Sequence, residues 1–280
     1  MPTLILMAKA PCSGMAKTRL VPPYSRHQAA EIADILLRLS VDICARHWAG
    51  ELVIAGWPNT DHRIFSELEK QYQVTLASQS KGDLGEKMQC LLATAFERNT
   101  AAAVMGTDVP HIPSSTLVET YNVLSGGGSV VGPTRDGGFC LLGLSYPVTD
   151  LFTGIHWGSS DVYEQMLLNA KASGLTFDST FASLTDIDCA TGLHRVASRW
   201  SPLHRALTAA GVGLAAGVGC PTDHDDACSL DVACISLGLH WTDLLAAVGA
   251  DRRHWSLLLV APSSNVGCWP FTGVAVFLEE

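Results

Sequence analysis

Positive charge is scarce in this chain: 18 lysines and arginines stand against 27 aspartates and glutamates, a formal net charge of −9. A protein that grips nucleic acid by its phosphates needs a basic face, so that class is set aside. Aromatic residues (7%) and charged residues (16%) are both sparse, while the hydrophobic set reaches 48%, so 280 residues can bury a sizeable core. None of the nine cysteines forms a C-x-x-C pair, and their irregular spacing predicts free thiols, with Cys44 and Cys90 in apolar stretches, rather than a disulfide framework. H-E-x-x-H, G-x-S-x-G and a complete P-loop are all missing, which removes the local signatures of zinc proteases, α/β-hydrolases and Walker-type nucleotide sites. The opening apolar run, Leu4 to Met7, is too short for a secretory signal. One uncharged stretch, Ala206 to Thr222, is rich in Gly and Ala and shorter than a usual span. A cytoplasmic protein without a membrane helix is expected.

What is present is an alternation of short apolar runs and helical stripes. "TLILMA", "ELVIAG" (51–56), "QVTLA" (73–77), "AAAVMG" (101–106), "GSVVGP" (128–133) and "FCLLGL" (139–144) read as strands. Between and after them, residues 26–47, 60–71, 85–98, 114–124, 159–173 and 190–199 read as helices, with Ser114 as an N-cap. Strands alternating with helices imply an α/β fold, a mostly parallel sheet with helices on both faces. Such sheets bind ligands beyond the carboxyl ends of their strands. After residue 201 the texture becomes Gly- and Ala-rich. The expected organisation is a first domain over 1–201 and an appendage over 202–280, with a helix at 237–248 and two apolar runs, "SLLLVAP" and "GVAVFL".

The loops at the strand ends hold the candidate chemistry. "MAKAPCSGMAKTRL" (7–20) sets Lys9, Lys17 and Arg19 among small residues directly after the first strand. Gly14, with Ser13 and Ala16, would let phosphate oxygens approach the backbone, and Lys17 and Arg19 would neutralise them. The plain alternative is a solvated basic turn. In "GTDVPHIP" (106–113), Asp108 stands where a lone carboxylate can hold Mg²⁺, or form an Asx turn. In "TDIDCATGL" (185–193), extended backbone would put Asp186 and Asp188 on one face and Ile187 on the other, while Asp188 could instead cap the helix from Ala190. "GPTRDGGF" (132–139) contains Asp-Gly, a hairpin signal. "KGDLGEKM" (81–88) is either a helix start capped by Asp83 or a surface on which a base or ribose could lie. "DHDD" (223–226) reads as a solvated acidic loop.

In this order, with "LFTGIHWGSSDV" between the hairpin and the last motif, the loops resemble the bacterial GT-A-type family named selenodomain-associated transferase 1. The likeness runs from about residue 3 to about residue 200. Members of that family usually carry glycosyltransferase in their names. The family is similar to the molybdenum-cofactor nucleotidyltransferases and phospholactate guanylyltransferases, which share the nucleotide-diphospho-sugar transferase fold. The resemblance implies that Lys9, Lys17 and Arg19 contact nucleotide phosphates and that Gly82, Asp83 and Gly85 lie near base or ribose. It implies Asp108 as the principal ligand of Mg²⁺ or Mn²⁺, with Asp186 or Asp188 as the second carboxylate. Arg135, Asp136, Gly137 and Gly138 would face the acceptor, walled by Trp157. Phe139 departs from the family's frequent Tyr, Gly192 from a commonly acidic position, and the tail after 201 matches no pattern of the family.

The expected partners are therefore a nucleotide or nucleotide-sugar donor and a small acceptor, with neither nucleic acid nor membrane involved. Glycosyl transfer from a nucleotide sugar stands first on the family's label. Nucleotidyl transfer with loss of pyrophosphate stands beside it, because Pro110 occupies the place of the second aspartate of the usual glycosyltransferase D-x-D pair. A non-catalytic nucleotide-binding module is the reading from another class.

Overall fold

The computed structural model describes residues 1–99 and 101–214, together with the backbone of 256–258 and 276–278. The expected helix at 237–248 and the acidic loop at 223–226 lie outside the described residues. The chain divides into two units, Met1–Val232 and Ala233–Glu280. In the second, β8 (Ser256–Leu258) pairs antiparallel with β9 (Val276–Leu278), within the two apolar runs read as such from the sequence.

The first unit is built on a seven-stranded sheet in the order β3-β2-β1-β4-β6-β5-β7. Its strands are β1 (Thr3–Lys9), β2 (Glu51–Trp57), β3 (Thr75–Ser78), β4 (Ala102–Gly106), β5 (Val130–Pro133), β6 (Phe139–Leu144) and β7 (Ser179–Thr180). β1 pairs in parallel with β2 and β4, and β2 with β3, whereas β6 runs antiparallel to both β4 and β5. The reversal at β6 follows from the Arg-Asp-Gly-Gly turn, which joins β5 and β6 as a hairpin and leaves no room for a crossover helix.

Helices α1 (Arg26–His47), α2 (Arg63–Tyr72), α3 (Leu84–Phe96), α4 (Ser114–Ser125), α5 (Val162–Ala172), α6 (Ala190–Ala197) and α7 (Ser201–Ala209) cover the sheet and one another. Alternation along β1 assigns the two faces: Leu4, Leu6 and Ala8 enter a core with α1, α2 and α4, while Ile5 packs with Met88, Leu91 and Leu92 of α3 and Met166 of α5. A third cluster joins Ile32 and Leu36 of α1 to Leu193 of α6 and Leu203 and Leu207 of α7, and it also holds Leu20, Ile187 and Val212. The helix that opens the expected appendage thus packs on α1 and α6 of the first unit.

Three local expectations need correction. Pro113, not Ser114, is the N-cap of α4 and makes no side-chain cap bond; its fixed φ of −59° suits the entry and Ser114 is already helical. Cys90 is exposed, because on α3 it falls outside the stripe Met88, Leu91, Leu92, Ala95. Cys189, not Asp188, caps α6, its Sγ accepting from the Gly192 N–H at 3.5 Å. The five cysteines among the described residues form no disulfide, and Cys44 and Cys140 are buried.

Candidate active site

Parallel pairing brings the ends of β1 and β4 side by side: Met7 is the partner of Gly106, so Lys9 and Thr107-Asp108 leave the sheet at one edge. Antiparallel β6 starts there too, since Met105 faces Leu141 and Phe139 lies two residues earlier. The hairpin turn at 134–138 therefore rises beside the first loop, at the crevice where β1 and β4 diverge in connection.

The first loop is folded by its small residues. Gly14 adopts φ +80°, Met15 and Ala16 both donate their N–H groups to the Cys12 carbonyl, and Ala16 is buried. Those two amides are thereby bound within the loop and do not face an anion. Lys17 sits in left-handed backbone (φ 47°) before a 3-10 turn, Thr18–Leu20. Leu20 is fully buried beside Ile187 and Leu193. That apolar anchor ties the loop to the 185–189 segment. The Ile187 N–H donates to the Asp108 carbonyl at 2.9 Å, docking the same segment along the end of β4.

These ties converge on one ion cluster. The Lys17 ammonium lies 2.7 Å from Asp108 Oδ1 and 2.8 Å from Asp188 Oδ1, and Arg19 reaches Asp188 Oδ2 at 3.3 Å. The Lys17 side chain is 8% exposed, whereas Asp108 and Asp188 remain 41% and 36% exposed, so the pair opens to solvent on its acidic side. Burial disfavours the ammonium, but the two carboxylates outweigh it and Lys17 titrates above the ordinary lysine value. Burial raises Asp108, with Asp188 adding to the shift and Lys17 opposing it. Asp188 is held below the usual range because Lys17 and Arg19 together overcome its burial. Asp186 is pushed up to about 7 by burial and then by Asp136 and Asp188.

Two adjoining clefts surround the cluster. The smaller, about 220 Å³, is bounded by Lys9, Met15–Arg19, Ala33, Thr107, Asp108 and Asp188. The larger, about 630 Å³, shares Lys9, Arg19, Asp108 and Asp188 and adds Asp136, Gly138, Asp186 and Trp157. The structure thus brings together Lys9, Lys17, Arg19, Asp108, Asp136, Gly138, Trp157, Asp186 and Asp188. Gly14, Gly82, Asp83, Gly85, Arg135 and Gly137 line neither cleft. Asp83 closes a capping box with Glu86 at the start of α3, both bonds 2.8 Å. A Cβ on Gly85 would meet Phe152 and Trp157 at 2.8 Å, so its bareness lets α3 approach the indole. Gly137 (φ +87°) lies against the Ser160 carbonyl, and Arg135 is exposed while its N–H donates to Leu184. Sequence reading missed Thr107, Thr134, Leu84 and Met88 as lining residues. Thr107 and Thr134 adjoin motifs already singled out, whereas the apolar pair looks like core in any helical stripe.

Whether the residues suit a divalent cation rests on the donor set. Among the described residues no three His, Cys, Asp or Glu side chains gather round one point. Asp108 and Asp188 converge on one ammonium, and two carboxylates suffice for Mg²⁺, which keeps waters and takes phosphate oxygens. Asp108, Asp136, Asp186 and Asp188 outnumber Lys9, Lys17 and Arg19 around the clefts, and Asp136 and Asp188 add to the burial that raises Asp186. The site fits an added cation. Among the described residues no helix is long and apolar enough to cross a membrane.

Residues 40–159 match the model of the DUF2064 family, described as an uncharacterized protein conserved in bacteria. No curated protein matches the chain. Among solved structures, a Desulfovibrio desulfuricans G20 protein provisionally named a nucleotide-diphospho-sugar transferase is 26% identical, with a TM-score of 0.64 over 74% of this chain and 95% of its own. Rv0371c of Mycobacterium tuberculosis H37Rv is 16% identical, with a TM-score of 0.45 over 70% and 96% of the two chains. A 4-diphosphocytidyl-2C-methyl-D-erythritol synthase of Anaerococcus prevotii DSM 20548 is 11% identical, with a TM-score of 0.46 over 75% and 96%. The mixed seven-stranded sheet flanked by helices is the fold shared with the first of these, the GT-A-like arrangement expected from the motif order.

Proposed function

We propose that this protein is a transferase acting on a nucleotide-activated donor, with glycosyl transfer from a nucleotide sugar to a small acceptor as its reaction. One observation carries the reading: Lys17, Arg19, Asp108 and Asp188, drawn from three distant segments, share one ion cluster at the carboxyl edge of the sheet. A lone structural ion pair would not need two further carboxylates, Asp136 and Asp186, on the same cleft wall. The fold and provisional name of the Desulfovibrio protein point the same way.

Arg19, 64% exposed, and Lys9 offer mobile charge to diphosphate oxygens at the cleft mouth. Lys17 is fixed beneath them and offsets charge on the leaving diphosphate without reorganising. Asp108 and Asp188 would hold Mg²⁺ or Mn²⁺, which supplies counter-charge to phosphate oxygens. Asp186, whose pKa is pushed up by burial and by the neighbouring carboxylates, stands on the cleft wall where an acceptor hydroxyl would give up its proton. Asp136 is held by the Thr134 hydroxyl and the Gly138 N–H, which fixes one carboxylate toward the acceptor side.

Nucleotidyl transfer is the second reading. It is favoured by the pairing of Lys17 and Arg19 on the first loop and by Pro110 two residues beyond Asp108. Incubation with Mg²⁺ and panels of nucleotide sugars and nucleoside triphosphates separates the two. Release of a nucleoside diphosphate supports glycosyl transfer and release of pyrophosphate supports nucleotidyl transfer. If neither appears with any donor while nucleotides still bind, the protein is a binding module and both readings fall.

A further inference from the structure

Glycine weakens a strand, so a glycine inside one needs a reason. Gly106 is the last residue of β4, two positions before Asp108. Three ordinary reasons fail there. Its φ is not positive, unlike those of Gly14 and Gly137. No neighbour requires its bareness: a Cβ on Gly106 would meet no atom within 4 Å, whereas one on Gly132 of β5 or Gly143 of β6 would stand 3.2 or 2.9 Å from a side chain. Nor is it a hinge. Met7 pairs with it, the Ser40 hydroxyl donates to the Thr107 carbonyl at 3.2 Å, and the Ile187 N–H holds the Asp108 carbonyl. Alternation shows where the missing side chain would point. Ala102 and Val104 pack in the second core cluster and Ala103 and Met105 in the first, so position 106 shares the face of Val104. That face opens into the larger cleft, which both residues line, while Gly106 takes no part in the smaller one.

We propose that Gly106 is bare so that a sugar ring joined to the donor's diphosphate can lie against the β4 backbone. This deepens the transferase reading and rests on it for placing the phosphates at Lys9, Arg19 and Asp108. Gly106 and Asp108 are at most about 7 Å apart along the chain, so the group over Gly106 is the one next to the phosphates. A nucleotide sugar carries a sugar ring at each end of its diphosphate, so that group is a ring in either orientation. Thr107, Thr134, Ser159 and Ser160 line the same cleft and can answer its hydroxyls. A Cβ at position 106 would hold the ring off by about 1.5 Å, enough to disturb both binding and the alignment of the reacting bond.

The test compares the full chain with Gly106→Ala and Gly106→Val by calorimetry in Mg²⁺, with urea unfolding beside it. The probes are inorganic pyrophosphate, the nucleoside diphosphates of the common bases, and UDP-glucose, GDP-mannose, ADP-glucose and CDP-glucose. Pyrophosphate affinity is expected to stay at the parent's value in both variants. Affinity for ring-bearing ligands is expected to fall about tenfold in Gly106→Ala and further in Gly106→Val. The urea midpoint of Gly106→Ala is expected to match or exceed the parent's, because nothing is struck and the unfolded chain loses freedom. Loss for nucleoside diphosphates and nucleotide sugars alike places the ribose over Gly106, and loss confined to nucleotide sugars places the transferred sugar there. Equal affinity for every ring-bearing ligand in parent and variants, an equal fall for pyrophosphate, or a lowered urea midpoint in Gly106→Ala overturns the proposal and leaves the transferase reading standing. A parent that binds no nucleotide removes that reading, and this inference with it.

Discussion

At the scale of single residues, Lys17 concentrates the most consequence. It is the one cation wedged between Asp108 and Asp188, and its loss would leave two like charges facing each other. Lys17→Met should lower transfer by about 100-fold or more, because fixed counter-charge to the leaving group disappears. The carboxylates stay roughly two-fifths exposed, so the stability loss should be about 1–3 kcal/mol, below that of a fully buried pair. Urea midpoints beside initial rates measure both, and a variant of unchanged rate would remove Lys17 from the reaction. His111 offers a prediction independent of the site. Burial lowers its pKa to about 4, and its Nδ1 has no partner. Between about 6.5 and about 4 the unfolded chain takes up a proton that the folded chain refuses. Stability referred to this group is therefore complete above 6.5, falls with pH through that window, and stops falling below 4. His111→Leu should make the urea midpoint less steep between pH 6.5 and 4 than in the parent; equal slopes would show that the ring is not shielded. Neither pairing partner of Lys17 was legible in the sequence as a partner. The Lys17–Asp188 contact spans 171 positions, and the buried side chains of Leu20 and Ile187 help to bring it about.

Secondary elements were legible wherever a period ran long enough to be read. α1 and α3 fall almost where their apolar stripes put them, and β1, β2, β4 and β6 are marked by runs that are buried on both faces. β7, two residues long and half-exposed, has no such signal and exists because β5 offers it an edge. α7 was missed although Pro202 stands near its start, a position that favours helix entry. The segment 185–189 is not a regular strand, yet Ile187 points into the third cluster and Asp186 and Asp188 both line the cleft, as the alternation predicted. What holds this segment in place is α6. A Cβ on Gly192 would stand 2.7 Å from the Asp186 carbonyl oxygen. Gly192→Ala should therefore displace the acidic segment without deleting any charge. The expected result is a stability loss of about 1–3 kcal/mol and a fall in transfer rate of about 10-fold or more, with substrate affinity less affected. A variant that keeps the parent's rate would mean that the segment does not have to hold its position. Thr191→Ala, on the same turn but with no backbone to meet, is the matched control.

For the whole molecule, the open question is where the transferase domain stops, and α7 decides it. The change of composition after residue 201 suggested a boundary there, because Gly- and Ala-rich texture reads as linker. Burial argues for a later end: Leu203 and Leu207 are fully buried with Leu20, Ile187 and Leu193, and Val212 closes the same cluster. Those are the residues that carry the first loop and the acidic segment, so removing α7 would loosen the ion cluster from behind. Three large side chains withdrawn from a core correspond to about 5 kcal/mol, comparable with the whole stability of an ordinary domain. A chain ending at residue 200 should therefore be insoluble or molten and inactive. A chain ending at residue 214 keeps the complete third cluster and should retain the nucleotide-dependent melting shift of the full protein. Thermal unfolding with and without donor nucleotide, run on all three lengths, is the measurement. If the chain ending at 200 unfolds as cooperatively as the one ending at 214, the cluster built by α7 contributes nothing to the domain, and the boundary returns to the change of texture.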